Sequence, residues 1–126
     1  MVLAIALASS LISPIRIAST DNGDLTVIGQ AVGGKKIVEI GEATHGAAEF
    51  YQLKLRLVRY LHEKKGFNVL ALEAGMIETG LASLRRDELT DRQWMLTTVS
   101  GPMRWREMQP LFAYLKSRPK LRVFGI

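Results

Sequence analysis

Two hydrophobic periods alternate along this chain in a fixed order, and that order narrows the possible folds more than any other feature. Ile37 to Ile40 is a short, mostly β-branched run between Lys36 and Gly41, the pattern of a buried strand. From Glu49 to Lys65 the period changes: Phe50, Leu53, Leu57 and Leu61 recur at helical spacing, and Gly66 follows Lys64 and Lys65 as a C-terminal cap. Val69 to Leu72 reads as a second strand, a helical stretch runs from about Arg104 to Ser117, and Leu121 to Ile126 reads as a third strand. Strand, helix, strand, helix, strand is the order of right-handed crossovers, so the expected class is α/β, a parallel sheet with flanking helices.

Upstream, Ser13 to Gly34 is rich in turn formers (Pro14, Asp21-Asn22-Gly23-Asp24, Gly33-Gly34) around Leu25, Val27 and Ile28, and is expected to be a connection with one helical turn. The chain thus divides into an N-terminal segment, residues 1–34, and an α/β part, residues 35–126. The last strand stops at Ile126 with no helix after it. A parallel sheet needs both faces covered and three strands make a small one, so the expectation is an incomplete domain, the N-terminal part of a longer protein.

Composition excludes some function classes. At 48% hydrophobic and 23% charged residues the chain reads as globular, not as a disordered tail. Its formal net charge of +5 is scattered over Lys35-Lys36, Lys64-Lys65, Arg85-Arg86 and a stretch from Arg104 to Arg122, which argues against a nucleic-acid partner. The absence of cysteine removes disulfides and thiolate metal sites. Met1 to Ile12 is an apolar run without a basic start, too short to span a bilayer, and reads as a signal-like segment or a buried first helix; the location stays open between cytoplasmic and exported.

In open parallel sheets, ligands bind beyond the carboxyl ends of the strands. Glu42 follows the first expected strand through Gly41, and Glu73 closes the second. His45 lies on the same loop as Glu42. An imidazole oriented by a carboxylate can take a proton from water, and of two neighbouring acids one can stay protonated. On the following helix Lys54 falls within the apolar stripe, whereas Arg56, Arg59 and Glu63 fall on the solvent side. A lysine there needs a partner, and Glu42, Glu73 or a negative group on a substrate is the natural one. Each residue alone has a plainer reading: a local hydrogen bond for His45, a helix N-terminal acid for Glu42, a solvated residue for Glu73, a lysine reaching to the surface for Lys54. Their convergence on one sheet edge favours a site. Glu39, inside the first strand, marks an edge position or pairs with a lysine. His62 sits on the helix flank without a catalytic role, and Trp94, Trp105 and Met103 pack in the core or line a pocket. Gly-x-Ser-x-Gly, P-loop, His-Glu-x-x-His and Gly-x-Gly-x-x-Gly motifs are absent.

The series Ile37-Val38-Glu39-Ile40-Gly41-Glu42-Ala43-Thr44-His45-Gly46, then Glu49-Phe50, Leu53-Lys54-Leu55-Arg56-Leu57, Lys65-Gly66-Phe67 and Leu70-Ala71-Leu72-Glu73-Ala74, resembles the erythromycin esterase family. The resemblance runs from about Lys35 to Ala74, and more weakly through Trp105 to Val123-Phe124-Gly125-Ile126. It implies an α/β hydrolase that opens macrolide lactones or other esters by activated water, without a serine nucleophile and without a cofactor. His45 falls on the family's general base, Glu42 and Glu73 on its acids, and Lys54 where the family often has arginine, keeping the charge and losing the bidentate fork. Further catalytic histidines come from a later region in that family, so these 126 residues alone are expected to be inactive. The implied partner is a small-molecule ester or lactone, with neither nucleic acid nor membrane. Two other classes stay in view, a non-catalytic relative holding haem or another ligand through His45, and an inactive truncated fragment.

Overall fold

In a computed structural model, residues 23–126 are described, apart from Ala43, His45 and the side chain of Pro102. The expected signal-like run Met1 to Ile12, the turn formers Pro14 and Asp21-Asn22, and the imidazole of His45 lie outside the described residues.

A single 3-10 turn, Gly23–Leu25, leads into helix α1 (Thr26–Val32). Then come the long helix α2 (Ala48–Lys65), strand β1 (Val69–Leu72), helices α3 (Met76–Leu84), α4 (Asp91–Thr98) and α5 (Gln109–Lys116), and strand β2 (Arg122–Gly125). The class is α/β with a parallel sheet: β1 and β2 pair in parallel, with Val69 opposite Arg122 and Leu72 opposite Gly125. Arg122 N–H donates to Asn68 O and Ile126 N–H to Leu72 O, both at 2.9 Å, which carries the ladder past each strand end.

The segment expected as the first strand, Ile37 to Ile40, is a correction to the sequence reading. It forms no ladder among the described residues. Its side chains do alternate, Ile37 and Glu39 exposed and Val38 and Ile40 half-buried, but the inward pair packs on α1 and α2. Branched side chains favour extended backbone here, while a ladder also needs a strand edge alongside, and this segment lies against α1 and α2 instead.

Helix α2 lies between two hydrophobic clusters. One side, with Tyr51 and Val58, joins the main core of Trp94, Met95, Val99, Phe112, Leu115, Leu121 and Val123. The other side, with Leu57, Tyr60 and Leu61, closes over Leu25, Ile28 and Val32 around α1. Gly66 ends the helix in the left-handed region (φ 74°), and Phe67 N–H reaches back to Leu61 O at 3.2 Å, a C-terminal motif that favours glycine. Within the main core the Trp94 and Phe112 rings, both fully buried, meet edge to face at 5.3 Å. Helix α4 starts with a capping box: Gln93 N–H donates to Thr90 Oγ1 (3.2 Å) and Thr90 N–H to Gln93 Oε1 (2.9 Å). At the end of β2, a Cβ on Gly125 would lie 2.5 Å from Ala74 O and 2.6 Å from Gly75 O, so the strand end rests directly on the backbone that leaves β1.

Candidate active site

The second turn of α2 and the loop before it bring a lysine and a glutamate together. Lys54 Nζ lies 2.7 Å from Glu42 Oε2, with 20% and 7% of the two side chains left exposed. The partner expected for a lysine in an apolar stripe is therefore present, and of the alternatives it is Glu42. Three residues earlier on the same helical face, the ring of Tyr51 backs the ammonium, Nζ standing 5.7 Å from its centroid. Tyr51 is buried, and burial first, then the negative charge of Glu42, holds its phenol above the ordinary tyrosine value of 10.0. It therefore stays protonated next to a carboxylate.

Taking a carboxylate and an ammonium this far out of water costs several kcal/mol per ion before their attraction is counted, and a packed apolar pair would serve stability as well. The pair joins the loop after Ile40 to the second turn of α2 and makes Glu42 and Lys54 candidates for a site there. The surrounding contacts fix it. Ile40 and Leu53 flank the pair in sequence and pack on the α1 cluster, while Tyr51 anchors in the main core.

Glu73 stands at the carboxyl end of β1, as expected, and is exposed; no hydrogen bond or ion pair joins it to Glu42, Tyr51 or Lys54 among the described residues. Of the four residues singled out in the sequence, the structure brings together Glu42 and Lys54. Near His45, Thr44 and Gly46 are exposed, and Gly46 N–H donates to Thr44 Oγ1 at 3.3 Å.

Other expectations sort as follows. His62 donates through Nδ1 to Phe67 O (2.7 Å), since a carbonyl can only accept; this bond stitches the end of α2 to the next loop. Trp94 and Met103 are core residues, and Trp105 is half exposed on the surface. Glu39 faces solvent. Arg56, expected on the solvent side, is a further correction: with 22% of its side chain exposed it pairs with Asp24 at 2.6 Å and ties α2 to the turn before α1. Helix α1, longer than the single turn expected, packs on that flank of α2 through Ile28 and Val32. Arg59 and Glu63 are exposed, as expected, yet both meet Tyr114 of α5. Tyr51 was not a candidate in the sequence; its signal was the three-residue spacing to Lys54, which places both on one helical face.

Comparison with known proteins adds two relatives. Over 105 residues, 83% of the chain, the sequence is 35% identical to YbfO of Bacillus subtilis (strain 168), provisionally named a hydrolase, and covers 24% of that protein. Over 63 residues, half of the chain, it is 36% identical to erythromycin esterase type I of Escherichia coli, covering 16% of it. These two similarities support the erythromycin esterase-like family for this chain. It spans about a quarter or less of the length of these relatives. No family model matches the sequence, and no solved structure does. Among the described residues, no helix is long and apolar enough to cross a membrane.

Proposed function

We propose that the protein of which these residues form part is an ester hydrolase in which His45 is the general base. The observation that carries this reading is the Lys54–Glu42 pair, buried on the loop that also bears His45. His45 lies three positions after Glu42, so their Cα atoms stand at most about 11 Å apart, and a carboxylate fixed by Lys54 is within reach of orienting the imidazole. His45 removes a proton from water as the water oxygen bonds to the ester carbonyl carbon. The tetrahedral adduct collapses with cleavage of the bond to the alkoxide oxygen, which leaves as the alcohol once the imidazolium returns its proton. Glu73, at the end of β1, is the second carboxyl assigned to the site in this reading, although no described contact joins it to Glu42. Lys54 holds Glu42 in place, and no serine nucleophile is required.

The substrate class proposed is a small-molecule ester, with macrolide lactones as the first compounds to try because a relative is named an erythromycin esterase. No cofactor enters the scheme. The test is His45→Ala in the full-length protein, assayed with a macrolide and a panel of simple esters. Loss of kcat by about a hundredfold or more is expected for a general base, with the folded state unchanged by circular dichroism. Unchanged hydrolysis across the panel overturns the proposal.

A further inference from the structure

Tyr51 is the neighbour of the Lys54–Glu42 pair that the reaction scheme does not use. It is 3% exposed, it faces the ammonium of Lys54 at 5.7 Å, and that ammonium in turn lies 2.7 Å from Glu42. A lysine is a flexible chain with a compact charge, and without a backing surface it would sweep several rotamers and carry the carboxylate with it. The face of an aromatic ring attracts a cation and also bars it from the core behind. Tyr51 itself cannot yield, because its ring packs in the main cluster with Val58.

We propose that Tyr51 is a positioning residue: its ring seats the Lys54 ammonium so that Glu42 is held in one place on the loop that carries His45. The catalytic consequence rests on the general-base reading above; the geometric claim does not. Among the described residues, the charged groups against Tyr51 include Glu42 from the loop and Lys54 from its own helix. Burial and Glu42 both hold the Tyr51 phenol above its usual range, so the group reports on the pair without any substrate.

Two measurements on the folded protein test the geometry. With tyrosines labelled for NMR and Tyr51 assigned by Tyr51→Phe, Glu42→Gln is expected to lower the titration midpoint of the Tyr51 phenol. The ε-methylene protons of Lys54 are expected upfield of ordinary lysines in the wild type and in Tyr51→Phe, which keeps the ring. A Tyr51 midpoint indifferent to Glu42→Gln, or unshifted Lys54 protons, overturns the proposal, and neither needs a variant that loses core packing. In the full-length enzyme, Tyr51→Phe is expected to stay within about threefold of wild type, and Tyr51→Leu to lose about tenfold in kcat with little change in KM. Equal kinetics for the Phe and Leu variants overturn the positioning role. If His45→Ala stays active while Glu42→Gln still moves Tyr51, the general-base reading fails and the seating of Lys54 by Tyr51 stands.

Discussion

Near each end of helix α2 a glutamate and a tyrosine gather around one or two cations, and the two groups differ in their access to water. Near the start, Glu42, Tyr51 and Lys54 form a group in which the carboxylate side chain keeps 7% of its surface and the lysine 20%. Near the end, Tyr114 donates to Glu63 at 3.0 Å, Arg118 lies 3.5 Å from the same carboxylate, and the guanidinium groups of Arg59 and Arg118 stand 4.9 and 5.1 Å from the Tyr114 ring. Glu63 and Arg118 are each more than two-fifths exposed, so solvent screens their attraction. The same residue types therefore do different work. At the surface they clip α5 to α2, whereas under cover they hold one carboxylate in a fixed place. Arginine suits the first task by stacking and spreading its charge; the compact ammonium of lysine suits a narrow seat between a carboxylate and a ring.

The contrast predicts a large asymmetry when single partners are removed. Lys54→Met leaves the Glu42 charge under cover and is expected to cost about 3 kcal/mol in urea unfolding, at the lower end for a buried pair because part of the lysine is wet. The double variant Glu42→Gln/Lys54→Met should recover most of that loss; no recovery would mean that the two side chains are not coupled. At the other end, Tyr114→Phe removes one hydrogen bond to a charged group and should cost about 1 kcal/mol, and Glu63→Gln less than about 1 kcal/mol. The Glu63 effect should shrink as salt rises to 1 M while the Lys54 effect persists, and equal salt sensitivity would erase the distinction.

A smaller effect sharpens the same comparison. The phenols of Tyr51 and Tyr114 are both raised above their ordinary value, chiefly by burial and then by the glutamate beside each. A raised acid binds its proton more tightly in the folded chain, so its contribution is fully present below the unfolded pKa near 10 and is lost as pH rises through the folded value. Stability should decline above about pH 10, and Tyr51→Phe or Tyr114→Phe should each flatten part of that decline in thermal melts.

Much of the fold could be read from residue order because the signals were periodic. Helix α2, its glycine cap and the strand Val69–Leu72 lie where the spacing of apolar residues put them. The ladder-free run at Ile37 to Ile40 shows the limit of such reasoning, since pattern specifies extended backbone and an inward face, not the presence of a partner edge. Helix α3 escaped notice because Met76, Ile77, Leu81 and Leu84 remain exposed, which blurs the stripe that marks an amphipathic helix. Helix α4 had a readable start in Thr90-Asp91-Arg92-Gln93. In the site, the Lys54–Glu42 pair could be inferred because a cation inside an apolar stripe demands an anion. Tyr51 could not, since an aromatic on the buried side of a helix reads as packing until its neighbour's charge is located.

Gly125 sets how the two strands talk to each other. With bare backbone against Ala74 and Gly75, no side chain cushions the joint between β2 and the turn after Glu73. Any larger residue at this position would have to push the Ala74–Gly75 backbone aside, so the close seating of β2 on the turn after Glu73 depends on a glycine there.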